Sequence, residues 1–237
     1  SPIWADNGRI YYLAASENQG PFPSCNAQAF MSIRPDGTGD TLLLGDTTYR
    51  QPVSGSFRLL AYHKPTCRIA ILQVEGPILI WDVCADSLVD SVPNPHHLGP
   101  FIRWYPDGTA LLVGDPESVW KISIGDSIYL PYGSGSECGF EVNPDGSLYT
   151  DLPWPSFCPL DSSTLVFSQC IPSVENLFLK TSADTIRLDA NPWEYTEFYL
   201  FVSWSPDGEA IVFSAYRSRG EPEPPFWPEL WILDDVR

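Results

Sequence analysis

The stretch Trp204-Ser205-Pro206-Asp207-Gly208-Glu209-Ala210-Ile211-Val212-Phe213 decides the fold. It begins at the end of an apolar run, turns through Pro-Asp-Gly and returns in a second apolar run. Proline sets φ at the first turn position, aspartate bonds its own backbone two residues on, and glycine takes the positive φ. The unit recurs at Trp104-Tyr105-Pro106-Asp107-Gly108-Thr109-Ala110-Leu111-Leu112-Val113. Looser copies are Trp4-Ala5-Asp6-Asn7-Gly8-Arg9-Ile10-Tyr11-Tyr12 and Cys158-Pro159-Leu160-Asp161-Ser162-Ser163-Thr164-Leu165-Val166-Phe167. The weakest is Tyr62-His63-Lys64-Pro65-Thr66-Cys67-Arg68-Ile69-Ala70-Ile71. Asp107, Gly108, Asp161, Asp207 and Gly208 are therefore read as turn residues, their recurrence arguing against a catalytic role for the carboxylates.

Working outward, each turn is followed by a third apolar run such as Ser118–Ile124 or Glu229–Leu233, and in several copies by a fourth such as Thr41–Leu44. No long stretch has apolar residues at helical spacing, whereas short runs rich in Val, Ile, Leu, Phe and Tyr are bounded throughout by Gly, Pro, Asp or Asn. Repeats of four antiparallel strands starting near residues 4, 62, 104, 158 and 204 predict an all-β propeller. Five blades in a single domain over 1–237 are favoured, with an insertion at about 133–156; six blades with a stunted fourth is the alternative. Pro35-Asp36-Gly37 falls after a third strand and is a different turn. The last repeat stops at its third strand, Leu230–Leu233.

The Trp-Ser-Pro-Asp-Gly pattern resembles the TolB-type, WD-like β-propeller repeat, over most of the chain. That resemblance implies a periplasmic or surface binding scaffold, or the gating domain of a peptidase.

The chain has 237 residues, 13 Lys+Arg against 30 Asp+Glu and a formal charge of −17. Such a polyanion repels phosphate backbones, so nucleic acid is excluded as a partner. No apolar run is long enough for a membrane-spanning helix. The first residues carry no initiator Met and no signal pattern, and are read as a processed or excised end.

Six cysteines (Cys25, Cys67, Cys84, Cys138, Cys158 and Cys170) in an acidic, lysine-poor chain point to disulfides and an exported protein. Absence of an N-x-S/T sequon favours a bacterial surface or periplasmic location over an extracellular eukaryotic glycoprotein. Arg68–Val74 and Pro77–Val83 read as a hairpin around Glu75-Gly76, and Cys67 and Cys84 are equidistant from that turn. The pair is therefore expected to face across the two strands and bond. Cys138–Cys158 would clip the insertion, with Cys138–Cys170 nearly as good; Cys25–Cys170 is a further pairing between loops.

Little in the sequence carries chemistry. His96-His97 lacks a third ligand nearby and reads as a loop rather than a metal site. His63 beside Lys64-Pro65 reads as structural. Asp36-Gly37-Thr38-Gly39-Asp40 resembles part of a calcium loop without its terminal Glu, and a Gly-rich turn is the preferred reading. The innermost strands, taken as Phe101–Trp104 and Phe198–Trp204, bear no carboxylate except Glu197 at an end, which weakens a hydrolase. Gly133-Ser134-Gly135-Ser136-Glu137 is no nucleophile motif. No cofactor is expected. The stronger candidates are aromatic, Pro-rich loops on one rim: Phe22, Trp154, Trp193, Tyr195, Phe226 and Trp227. Ordered loops of this kind can anchor a protein partner or stack on a glycan. The alternative is that they fold back over the core. The expectation is a non-enzymatic binding or assembly module, with a lectin or five-bladed glycosidase and a peptidase-gating domain as alternatives.

Overall fold

The computed structural model describes residues 2–14, 29–45, 57–73, 75–94, 99, 101–115, 117–135, 140–143, 145–150, 155–168, 177–188, 197–217 and 228–236. They form a five-bladed β-propeller. Blade one is β1 (Ile3–Trp4), β2 (Ile10–Ala14), β3 (Ala29–Ile33) and β4 (Thr41–Gly45). Blade two is β5 (Phe57–His63), β6 (Arg68–Gln73), β7 (Ile78–Asp82) and β8 (Ser87–Val92). Blade three is β9 (Phe101–Trp104), β10 (Ala110–Gly114), β11 (Val119–Ser123) and β12 (Tyr129–Gly133). A hairpin, β13 (Glu141–Val142) and β14 (Leu148–Tyr149), follows. Blade four is β15 (Ser156–Cys158), β16 (Asp161–Ser168), β17 (Leu177–Lys180) and β18 (Thr185–Arg187). Blade five comprises β19 (Glu197–Trp204), β20 (Ile211–Arg217) and β21 (Pro228–Leu233) among the described residues. Within each blade the strands pair antiparallel in chain order.

The middle strands read as continuous apolar runs because both of their faces are covered. In β6, Ala70 and Leu72 face blade three, where they pack with Ile102, Trp104, Leu111 and Val113. Ile69 and Ile71 alternate to the other face and pack with Ile3, Tyr11 and Phe30 of blade one. This two-residue alternation lets one strand serve two interfaces. A third cluster, including Val166, Leu179, Trp204 and Ile211, joins blades four and five. The ring closes where β1 packs on β19, with the Trp4 N–H donating to Ser203 Oγ at 3.3 Å.

The hairpin β13–β14 is more than a surface insertion. Phe140, fully buried, packs with Phe101, Leu112 and Val119 of blade three, and Tyr149 meets Phe157 of blade four edge to face at 5.5 Å. The hairpin thus forms a two-stranded wedge between two full blades.

The recurrent aromatic residue explains how the sheets stay together. Trp104 Nε1 donates to the Ala61 carbonyl of blade two at 2.9 Å, and Trp204 Nε1 donates to the Ser156 carbonyl of blade four at 2.9 Å. Tyr62, at the same repeat position, accepts from the Asp6 N–H of blade one through its hydroxyl at 3.4 Å. In each case the aromatic reaches back to the preceding blade. An innermost strand has no ladder partner on its axial side, so its outward carbonyls need such a donor.

The turns obey the same local chemistry. Asp107 Oδ1 accepts from Thr109 N at 2.8 Å and Thr109 Oγ1 at 2.6 Å, and Gly108 N donates to the Tyr105 carbonyl at 2.9 Å. Asp145, Asp161 and Asp36 accept in the same way from Ser147, Ser163 and Thr38. Asp207 accepts from the Ser205 hydroxyl and from Glu209 N. These bonds hold the Asp36, Asp107, Asp145 and Asp207 carboxyls below the usual carboxylate range, the neighbouring hydroxyl being the largest cause. A folded-state pKa below the unfolded one stabilises at neutral pH, and that contribution is lost as pH falls through the folded value. Thermal unfolding of Asp107→Asn should therefore show destabilisation relative to wild type at pH 7 that shrinks as the pH falls below the ordinary aspartate range. An unchanged difference would mean that the Asp107 charge does not support the turn.

Cys67 and Cys84 form a disulfide across 17 residues, with Cα atoms 5.9 Å apart. Closing a loop of that length stabilises by about 3 kcal/mol in the chain-entropy picture. The two are not directly opposed, contrary to the equidistance argument. Arg68 pairs with Asp82, and the Val83 N–H donates to the Cys67 carbonyl, so Cys84 lies one residue beyond the partner position. Cys67 reaches it by adopting a left-handed conformation, φ 54°, at the end of the 3-10 turn Lys64–Thr66. Cys158 is buried in blade four; Cys25, Cys138 and Cys170 lie outside the described residues. No helix among the described residues is long and apolar enough to cross a membrane.

Candidate functional site

The first strands of all five blades, together with β13, surround an axial cavity of about 600 Å³. Its walls include Trp4, Tyr62, Trp104, Phe157 and Trp204, and its mouth is the rim of turns between first and second strands. Four of its charged side chains form two pairs, and Asp161 also lines it. Arg103 Nε donates to Glu141 Oε2 at 2.9 Å, both side chains being about one-fifth exposed. Glu141 Oε1 also accepts from the Val142 N–H, and Arg103 Nη1 donates to the Ile102 carbonyl. At the mouth, Lys64 Nζ lies 3.5 Å from Asp6 Oδ1 and 3.2 Å from the Pro206 carbonyl.

The strand pleat sets these positions. Ile102 and Trp104 turn toward blade two, so Arg103 between them points the other way, toward the wedge hairpin. Glu141 follows the buried Phe140 and so faces the axis. The carboxylate sought on an innermost strand thus comes from the hairpin β13–β14, within the segment read as an insertion or a stunted blade. The signal was present: a lone Arg in an otherwise apolar inner strand, and a second Pro-Asp-Gly hairpin with its own Glu. Glu197 stands at the start of β19, in register with Arg217.

His63 is buried and joins two blades. Its Nε2 lies 3.0 Å from the Pro106 carbonyl and must donate, since a carbonyl only accepts; Nδ1 lies 2.8 Å from Thr66 Oγ1. Burial pushes the Tyr62 phenol up to about 12, which keeps it protonated. Lys121, on the neighbouring rim, sits 3.2 Å from the centre of the Tyr105 ring. In Asp36-Gly37-Thr38-Gly39-Asp40, the Asp36 carboxylate accepts from Thr38 and the Asp40 carboxylate from the Tyr12 hydroxyl at 2.7 Å. Among the described residues no group of three His, Cys, Asp or Glu is placed to hold a metal ion. The rim candidates Phe22, Trp154, Trp193, Tyr195, Phe226 and Trp227, and His96-His97, lie outside the described residues.

The sequence matches no protein-family model and no curated protein. Among solved structures, a chain of the mitotic checkpoint complex aligns over 90% of this chain and 82% of its own, at 11% identity and a TM-score of 0.60. The fold is a β-propeller. A chain of Kuenenia stuttgartiensis hydrazine synthase aligns over 98% of this chain and 62% of its own, at 14% identity and a TM-score of 0.39. At such identities the first likeness establishes the fold and nothing finer.

Proposed function

We propose that this chain is an exported, non-enzymatic propeller of the TolB-like kind that binds a protein partner or serves as an assembly subunit. The observation that carries the reading is the exposed apolar side chains on the outermost strands of the blades. Each four-stranded blade exposes large apolar residues on its outermost strand: Leu42 (45%), Leu88 (46%), Val89 (46%), Leu130 (53%) and Ile186 (50%). These outermost strands are sheet edges, and an edge strand with apolar side chains is a place where another chain can pair or pack. The disulfide supports an oxidising compartment. Within the cavity, the described carboxylates are engaged by Arg103, Lys64 or turn hydroxyls, which supports a scaffold role. Trp193 and Trp227 are the proposed anchors on the loops. Purification of wild type and of Trp193→Ala/Trp227→Ala from native extract should recover a defined partner with the first and lose it with the second, at unchanged Tm. Retention of the partner would remove these loops from the site; a fall in Tm would make the two residues caps of the core.

Glu141 beside Arg103 in an aromatic-walled cavity favours a second reading, glycan binding at the axis. Saturable binding on a glycan array, abolished by Glu141→Gln, is the result that reading requires.

A further inference from the structure

Lys64 does something unusual for a surface lysine. It belongs to the turn of blade two, yet its ammonium lies between the carboxylate of Asp6 in blade one and the carbonyl of Pro206 in blade five. The side chain therefore crosses the mouth of the axial cavity and ties three blades. Its base is held in place: Cys67 N donates to the Lys64 carbonyl, the disulfide anchors Cys67, and Thr66 is bonded to the buried His63. The ammonium also helps keep the Asp207 carboxyl ionised, so a second acid is within electrostatic reach. The chain has only three lysines against 30 acidic residues. Its net charge focuses a negative potential into a cavity with low-dielectric walls.

We infer that the cavity mouth is a binding site for a primary ammonium, occupied in this state by the protein's own Lys64. Its external occupant is the lysine side chain of a basic protein partner, a clause that rests on the binding-module reading. Asp6 supplies the charge and the Pro206 carbonyl a directed acceptor, so the site selects cations that carry N–H donors. Lys64 is tethered, so it competes with free amines at an effective concentration of millimolar order or more. A partner displaces it by adding contacts elsewhere on the rim. The site is thus self-capped, and Lys64 acts as an autoinhibitory plug.

The test is an NMR titration of the full chain with n-butylammonium chloride, against tetramethylammonium chloride at equal ionic strength. In Lys64→Ala, the amides of Asp6, Tyr62 and Asp207 should shift saturably with butylammonium, with affinity about three- to sixfold above wild type. Tetramethylammonium, which has no N–H for Pro206, should give no saturation. Adding Asp6→Asn should abolish the gain. Equal affinity in Lys64→Ala and wild type, or binding that survives Asp6→Asn, overturns the site. Lys64 is half-exposed, and loss of one exposed ion pair costs at most about 1 kcal/mol, so the variant keeps the fold. A second arm uses the capped pentapeptide Gly-Gly-Lys-Gly-Gly and its Nε-acetylated form. Binding of the charged peptide alone supports the partner clause. Equal binding of both, or of neither while butylammonium binds, overturns that clause and leaves the ammonium site standing. Neither result bears on Trp193 and Trp227, whose test is separate.

Discussion

Trp104→Ala should destabilise the propeller by about 3–5 kcal/mol, the largest single effect expected at a repeat position. Trp104 is 6% exposed and packs with Leu59, Ala61, Ile102 and Leu111 between blades two and three. Truncation removes that contact and also leaves the Ala61 carbonyl without its donor. Trp104→Phe separates the two contributions. It keeps a six-membered aromatic ring in the core but loses the hydrogen bond and part of the packed volume, so a smaller loss of about 1–3 kcal/mol is expected. Denaturant unfolding with unchanged m-value measures both. Equal and small losses for the two variants would show that the indole neither packs nor bonds as described.

Gly108→Ala should be the more damaging of two turn substitutions that look alike in sequence. Gly8 and Gly108 occupy equivalent turns at φ +75° and +73°, so alanine strains the backbone at either by about 1–2 kcal/mol. Their surroundings differ. A Cβ at Gly8 meets nothing within 4 Å, whereas one at Gly108 would lie 2.5 Å from His63 Cε1 and 2.7 Å from Nδ1. His63 is buried and bonded on both nitrogens, to Thr66 and to Pro106, so it has no room to yield. Overpacking then adds about 1–3 kcal/mol at Gly108 alone. Thermal unfolding of the two alanine variants side by side gives the comparison. Equal losses would show that His63 does not hold the two turns together.

The contrast between these glycines marks where sequence reasoning stops. The turn itself is local chemistry: proline presets one dihedral, aspartate bonds the residue two ahead, glycine takes the left-handed position. Those residues, repeated, are enough to predict stacked antiparallel sheets, and the apolar runs of β6 and β10 follow from burial on both faces. What the turn packs against is tertiary. Nothing local distinguishes Gly8 from Gly108. The Arg103–Glu141 pair joins an inner strand to an inserted hairpin 38 residues away, and Lys64 reaches a carbonyl 142 residues distant. Such pairs emerge only once the ring is closed. The Cys67–Cys84 bond was legible as a pairing, but its register was not, because the β6–β7 ladder is centred on Glu75 rather than between Glu75 and Gly76.

Recurrent aromatic residues fasten blades two, three and five to the blade before each. Hydrogen exchange of the indole N–H groups of Trp104 and Trp204, followed by NMR, tests this most directly. The Trp104 bond is buried and the Trp204 bond part-buried between blades, so both indoles should be strongly protected, the Trp104 indole with the same free energy as the core amides of β6 and β10. Exchange of either indole at the rate of a solvent-exposed tryptophan, while those amides stay protected, would contradict it.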